Sequence, residues 1–259
     1  MKRLIASLCL WFCNSALACD NALPAQQLHA IGQQIYKNEC NKKRQCLVDW
    51  NRGEAFPSLG IGHFIWYPAD VDEGFVESFP QLIRFLQANN VAIPQWLEQH
   101  QPFHAPWRTR TDFMRVKNGD IAESLRVFLE HSMAEQTAFM QQRMQRSIQN
   151  IVQQAPANQR HSLNDKINAL CSTPAGVYAL IDYVNFKGEG LAHSERYNGQ
   201  GWGLLQVLLA MENQPDSVLA FATAADWVLT RRANNARNTI EKETWLPGWR
   251  KRLTTYTTF

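Results

Sequence analysis

Along most of this chain, apolar residues return every three or four positions, the spacing of helices that turn one face inward. Leu28, Ile31, Ile35 and Tyr36 predict a helix over 25–39 that ends at Glu39. Phe75, Phe79, Leu82, Ile83 and Leu86 predict a second over 72–89. The longest run, from Ile121 through Leu125, Phe128, Leu129, Met133, Phe139, Met140 and Met144 to Ile148, predicts one helix over 120–154 with a core-facing stripe. Further helices are expected over 174–187, 202–212 and 215–233. Residues 46–67 break the pattern. They combine the turn formers Asn51-Arg52-Gly53, Gly60 and Gly62 with the strand-favouring run Phe64-Ile65-Trp66-Tyr67. Pro94, Pro102 and Pro106 divide the segment after the second helix into loops and short turns. The expected class is α+β and predominantly helical, with no internal repeat and no long linker.

Composition adds little to that picture, but the N-terminus adds a good deal. Lys2 and Arg3, the apolar run Leu4 to Phe12 and the small-residue site Ala16-Leu17-Ala18 have the form of an export signal. The apolar run is too short to span a bilayer as a mature helix. Cleavage after Ala18 makes Cys19 the first mature residue and places the protein in the periplasm or outside the cell. A lipid anchor on Cys19 is a lesser alternative, because Ala16 stands where such signals carry a large aliphatic residue. Loss of Lys2 and Arg3 lowers the net charge from +3 to +1. That is too weak to attract nucleic acid by bulk electrostatics. No other stretch is long and apolar enough to cross a membrane.

The cysteines agree with export. Cys9 and Cys13 leave with the signal, and Cys19, Cys40, Cys46 and Cys171 remain. An even set in an oxidising compartment suggests disulfides. The short polar loop Asn41 to Gln45 favours a Cys40–Cys46 bond, which leaves Cys19 and Cys171 paired or free. The chain contains no CxxC pair and no HExxH, so neither zinc nor a cofactor is expected. It also lacks a GxSxG elbow and a phosphate-binding GxxxxGK[ST] loop.

The order Glu39, a hairpin carrying Asp49 and Glu54, and then Ser58-Leu59-Gly60-Ile61-Gly62-His63 resembles the lysozyme superfamily, particularly the phage-type and goose-type enzymes. The stretch "YALIDYVNFKGEG" at 178–190 is similar to the buried helix and following turn of the helical lobe. "PGWRKRLTTY" faintly resembles the C-terminal segment. Beyond the signal peptide read over 1–18, the resemblance implies one lysozyme-like domain over 19–259. A hairpin-bearing lobe would cover about 25–90 and a helical lobe about 120–259. It implies that Glu39 is the catalytic acid and that Ser58, Gly60, Gly62 and His63 line the cleft. The substrate would be peptidoglycan or a related glycan. For the second carboxylate both Asp49 and Glu54 qualify, and Glu54 is preferred because it lies nearer the glycine segment.

The chemistry of these residue types fits that resemblance. Glycoside hydrolysis needs a carboxylic acid to protonate the leaving oxygen. Inverting enzymes place a second carboxylate about 6.5–9.5 Å away, leaving room for water. Gly60 and Gly62 would let a sugar approach the backbone, and Trp50, Trp66, Tyr67 and Tyr197 offer flat rings for it. The apolar residues Ile35, Leu59 and Ile61 are expected around Glu39, which would keep it protonated. Asp182, set among Leu180, Ile181 and Val184, is expected to pair with a buried cation or hydroxyl. Two further readings stay open: a lytic transglycosylase using one acid, and a non-catalytic wall-binding protein on the same fold. Protein recovered from outside the cytoplasm is expected to begin at Cys19 on N-terminal sequencing. Recovery with Met1 in place would contradict export.

Overall fold

The computed structural model describes Cys19 and residues 21–259; the expected signal over 1–18 lies outside the described residues. Eleven α-helices are present among the described residues. They are α1 (Ala25–Cys40), α2 (Phe79–Ala88), α3 (Gln95–Gln99), α4 (Arg110–Val116), α5 (Asp120–His131), α6 (Met133–Gln154), α7 (Arg160–Cys171), α8 (Pro174–Lys187), α9 (Leu204–Ala210), α10 (Ser217–Asn235) and α11 (Leu246–Thr257). Strands β1 (Val48–Asp49), β2 (Ser58–Leu59) and β3 (Phe64–Ile65) form a small antiparallel sheet in that order. A second, two-stranded sheet joins β4 (Arg196–Tyr197) to β5 (Gln200–Gly201). The class is therefore α+β and mostly helical, as the periodicity predicts.

Helix α8 is the hub. Every residue from Gly176 to Val184 is buried. Helices α1, α6, α7, α9, α10 and α11 all pack on it. Its sequence is apolar on all sides, the pattern of a helix surrounded by protein. Thr173 caps its start by accepting the Gly176 amide at 3.0 Å. Gly176 has no room for a side chain, since a Cβ there would lie 2.0 Å from the Leu170 carbonyl at the end of α7. A continuous buried cluster runs from Ile31 on α1 through Leu59 and Phe64 of the sheet to Tyr256 on α11.

Three expectations about elements need correction. Helix α2 begins at Phe79, not 72. Asp70 and Gly74 adopt φ of +66° and +74°, and the Tyr67 hydroxyl accepts the Glu73 and Phe75 amides. Residues 70–78 are thus held as a loop, and Phe75 is 60% exposed instead of packed on a helix face. The single helix expected over 120–154 is two helices, broken at Ser132, whose hydroxyl donates to the Phe128 carbonyl at 2.8 Å. Helices α3, α4, α7 and α11 are not predicted by the apolar spacing. In α7 the buried stripe is only Leu163, Ile167 and Leu170, too narrow to stand out in a polar segment.

Both disulfides form: Cys40–Cys46 and Cys19–Cys171. The bond to Cys171 occupies the Cys19 sulfur, which a thioether lipid anchor would need, and this counts against the anchored alternative. No helix among the described residues is long and apolar enough to cross a membrane.

The glycine segment is shaped by the protein's own packing. Gly60 adopts φ +69°, and a Cβ there would sit 2.3 Å from Gln136 Oε1. That oxygen accepts the Ile61 amide at 2.9 Å, while Gln136 Nε2 donates to the Leu129 carbonyl. The fully buried Gln136 thus ties the turn after β2 to the α5–α6 junction. Gly60→Ala is expected to lower stability by at least about 2 kcal/mol, from the left-handed backbone and the displaced glutamine together. Thermal melting against Gly53→Ala is the check: Gly53 also has positive φ, but nothing lies within 4 Å of its would-be Cβ.

Candidate functional site

A cleft of about 560 Å³ lies between the three-stranded sheet and the end of α8. Glu39, Glu54, Ser58, Gly62 and His63 all line it. So do Asn185 and Phe186 on α8 and Glu73 and Phe75 on the 70–78 loop.

Each carboxylate is placed by a different element. Glu39 occupies the last turn of α1, which closes with Asn41 and Lys42 in the left-handed region. The Asn41 and Lys42 amides bond back to the carbonyls of Lys37 and Tyr36, which caps the helix end. Glu54 sits in the turn between β1 and β2. The buried Trp50 donates its indole N–H to the Glu54 carbonyl at 2.8 Å, and Asn51 Nδ2 donates to Glu54 Oε2 at 3.1 Å. Asp49 is exposed on β1 and lies outside the cleft lining.

Glu39 is not surrounded by apolar groups alone. Ile35, Leu59 and Ile61 are indeed buried in the core, but the carboxylate meets two nitrogen groups. Oε1 accepts from Arg252 at 2.6 Å, and Oε2 lies 3.5 Å from His63 Nδ1. Burial, the strongest single influence, pushes the Glu39 carboxyl up. Arg252 and then His63 outweigh it, leaving Glu39 below its ordinary value. The expectation that an apolar pocket keeps Glu39 protonated therefore does not describe the resting site.

Arg252 comes from α11 and is itself buried. It forks onto Asp182 of α8, with Nε to Oδ2 at 2.8 Å and Nη2 to Oδ1 at 2.7 Å. The Tyr256 hydroxyl donates to the same carboxylate at 2.7 Å. The buried cation and hydroxyl expected for Asp182 are thus Arg252 and Tyr256. Burial alone would lower the Arg252 pKa, but Asp182 and Glu39 hold it well above the ordinary value. Sequence reasoning misses Arg252 as a site residue. Its only signal is its position inside the faint "PGWRKRLTTY" resemblance.

Several expected sugar contacts serve other ends. Trp66 is fully buried, with its indole N–H donating to the Phe103 carbonyl at 3.3 Å. Tyr67 clamps the 70–78 loop. Tyr197 is outside the cleft lining. Its hydroxyl donates to Glu241 at 2.9 Å, and its ring packs on Trp202. Gly60 packs on Gln136 and does not line the cleft. Gly62 does line it, and its carbonyl accepts Asn185 Nδ2 at 3.2 Å. Phe75, from the loop whose spacing imitates a helix, reaches the cleft with an exposed ring.

No protein-family model, curated protein or solved structure matches this chain.

Removing Arg252 would leave Asp182, which has no exposure, without its cation. Arg252→Met is expected to cost about 3–5 kcal/mol. The double variant Asp182→Leu/Arg252→Met should recover most of that loss, because the pair is then replaced by apolar groups. Denaturant melts of both variants check this; a double variant no more stable than Arg252→Met would contradict it.

Proposed function

We propose that the protein cleaves the glycan strands of peptidoglycan by acid-assisted hydrolysis, with Glu39 as proton donor and Glu54 as the second carboxylate. One observation carries this reading: the two glutamates come from separate elements and line one cleft, together with Ser58, Gly62 and His63. The lysozyme resemblance supplies the reaction class. The cleft supplies the reason to prefer Glu54 to Asp49.

In the resting site Arg252 keeps the proton off Glu39. A glycan filling the cleft removes water from around the carboxyl, which strengthens burial, already its largest influence. The donor form of Glu39 then develops with substrate in place. Its proton passes to the leaving glycosidic oxygen as the bond to the anomeric carbon breaks. Glu54 takes a proton from the attacking water, which adds to the anomeric carbon. Trp50 and Asn51 hold Glu54 in position for that step.

The test is turnover of purified peptidoglycan by folded variants, with mass analysis of the released ends. Glu39→Gln and Glu54→Gln are each expected to lose at least about a hundredfold in rate. Asp49→Asn should keep most activity. Equal turnover by Glu39→Gln and the unchanged chain would end the acid assignment. Anhydro ends in place of reducing ends would identify a transglycosylase, and no cleavage by the unchanged chain would favour a wall-binding protein.

A further inference from the structure

Next to Glu39 lie two sulfurs that the glycosidase reading leaves unused, and they meet the cleft residue His63. Cys40 directly follows Glu39 and is buried at the end of α1. The two left-handed residues Asn41 and Lys42 turn the chain, and a 3-10 turn over Arg44–Leu47 brings Cys46 back beside it. His63 arrives from the glycine segment with φ +49°, a conformation few non-glycine residues adopt. Its Nε2 lies 3.3 Å from the Cys46 sulfur and 3.7 Å from the Cys40 sulfur. One atom from each of the three residues falls within 4.8 Å of the others.

These separations have a meaning in coordination chemistry. Zinc bonds of about 2.3 Å to sulfur and about 2.0 Å to imidazole nitrogen, at tetrahedral angles, place sulfur and nitrogen about 3.5 Å apart and two sulfurs about 3.8 Å apart. Both sulfur–nitrogen separations already match. Only the sulfur–sulfur distance must open, and cleavage of the disulfide opens it. The other ring nitrogen, Nδ1, faces Glu39 Oε2 at 3.5 Å. A carboxylate on the far nitrogen of a metal-bound histidine is the usual support for that ligand, fixing its tautomer and orientation.

We propose that Cys40, Cys46 and His63 form a redox-gated binding site for a thiophilic divalent cation of the zinc type, with Glu39 as the carboxylate that orients His63. The oxidised chain stores the two sulfurs as a disulfide. A dithiol reductant gives it two electrons and two protons, becomes a disulfide itself, and leaves Cys40 and Cys46 as thiols. Zinc then displaces the two thiol protons, bonds both sulfurs and His63 Nε2, and leaves its fourth position to solvent. Disulfide and metal are thus alternative crosslinks of the same loop. The site stands whether or not Glu39 cleaves glycans.

The experiment uses the full mature chain, reduced with a dithiol, freed of it without oxygen and titrated with cobalt as the spectroscopic probe. One cobalt per chain is expected, with thiolate-to-cobalt charge-transfer and tetrahedral ligand-field bands, about two protons released, and displacement by zinc. Cys40→Ser/Cys46→Ser should abolish the bands, and His63→Gln should weaken binding at least tenfold. Glu39→Gln, which leaves all three ligands in place, should weaken it about tenfold. The oxidised chain should show no bands. Cobalt bands that survive in Cys40→Ser/Cys46→Ser would assign the metal to Cys19 and Cys171 and overturn the proposal. An unaltered affinity in His63→Gln would also overturn it. So would a reduced chain that keeps its near-ultraviolet circular dichroism yet shows no bands, or one that stays unfolded with cobalt present.

Discussion

The ion pair between Asp182 and Arg252 holds this structure in register. A carboxylate with no exposure at the centre of α8 demands compensation, and a guanidinium from α11 meets it with two short bonds. The remaining reach of that guanidinium goes to Glu39 at the end of α1. Three helices distant in sequence are thereby fixed against each other by one side chain. Such a pair adds little net stability over an apolar replacement, but loss of one partner leaves the other buried and unpaired. The position of Glu39 in the cleft is a result of that arrangement.

The same economy appears in the sheet. Gly60 is glycine because Gln136 occupies the space a side chain would need, and Gln136 is there to satisfy the amide of Ile61 and the carbonyl of Leu129. Only Gly62 of the two glycines faces the cleft. The cleft wall is thus a surface of a packed core, which limits how far its polar groups can move.

Much of this is legible in the sequence, for identifiable reasons. Helix α1 declares itself because its apolar spacing is regular, whereas α8 reads as an apolar run with no polar face. The buried partner of Asp182 can be foreseen because a charge among Leu180, Ile181 and Val184 cannot be left alone. Phe75 misleads because the segment's apolar spacing is helical, while left-handed residues and a tyrosine hydroxyl decide its backbone. Trp66 reads as a sugar platform because composition does not reveal whether the ring after a short strand turns inward. Arg252 and the grouping of Cys40, Cys46 and His63 depend on tertiary contact. His63 lies 17 residues beyond Cys46, and no CxxC or HExxH pair marks the grouping in the sequence.

The separation of 213 residues between Glu39 and Arg252 bears on how such a protein comes into being. Synthesis runs from the N-terminus, so a growing chain carries both glutamates of the cleft long before it carries the cation that seats one of them. Until Arg252 emerges, Asp182 lacks the cation that it pairs with in the folded chain. The ion pair that seats Glu39 therefore joins the two ends of the described chain, and it forms only once α11 is present.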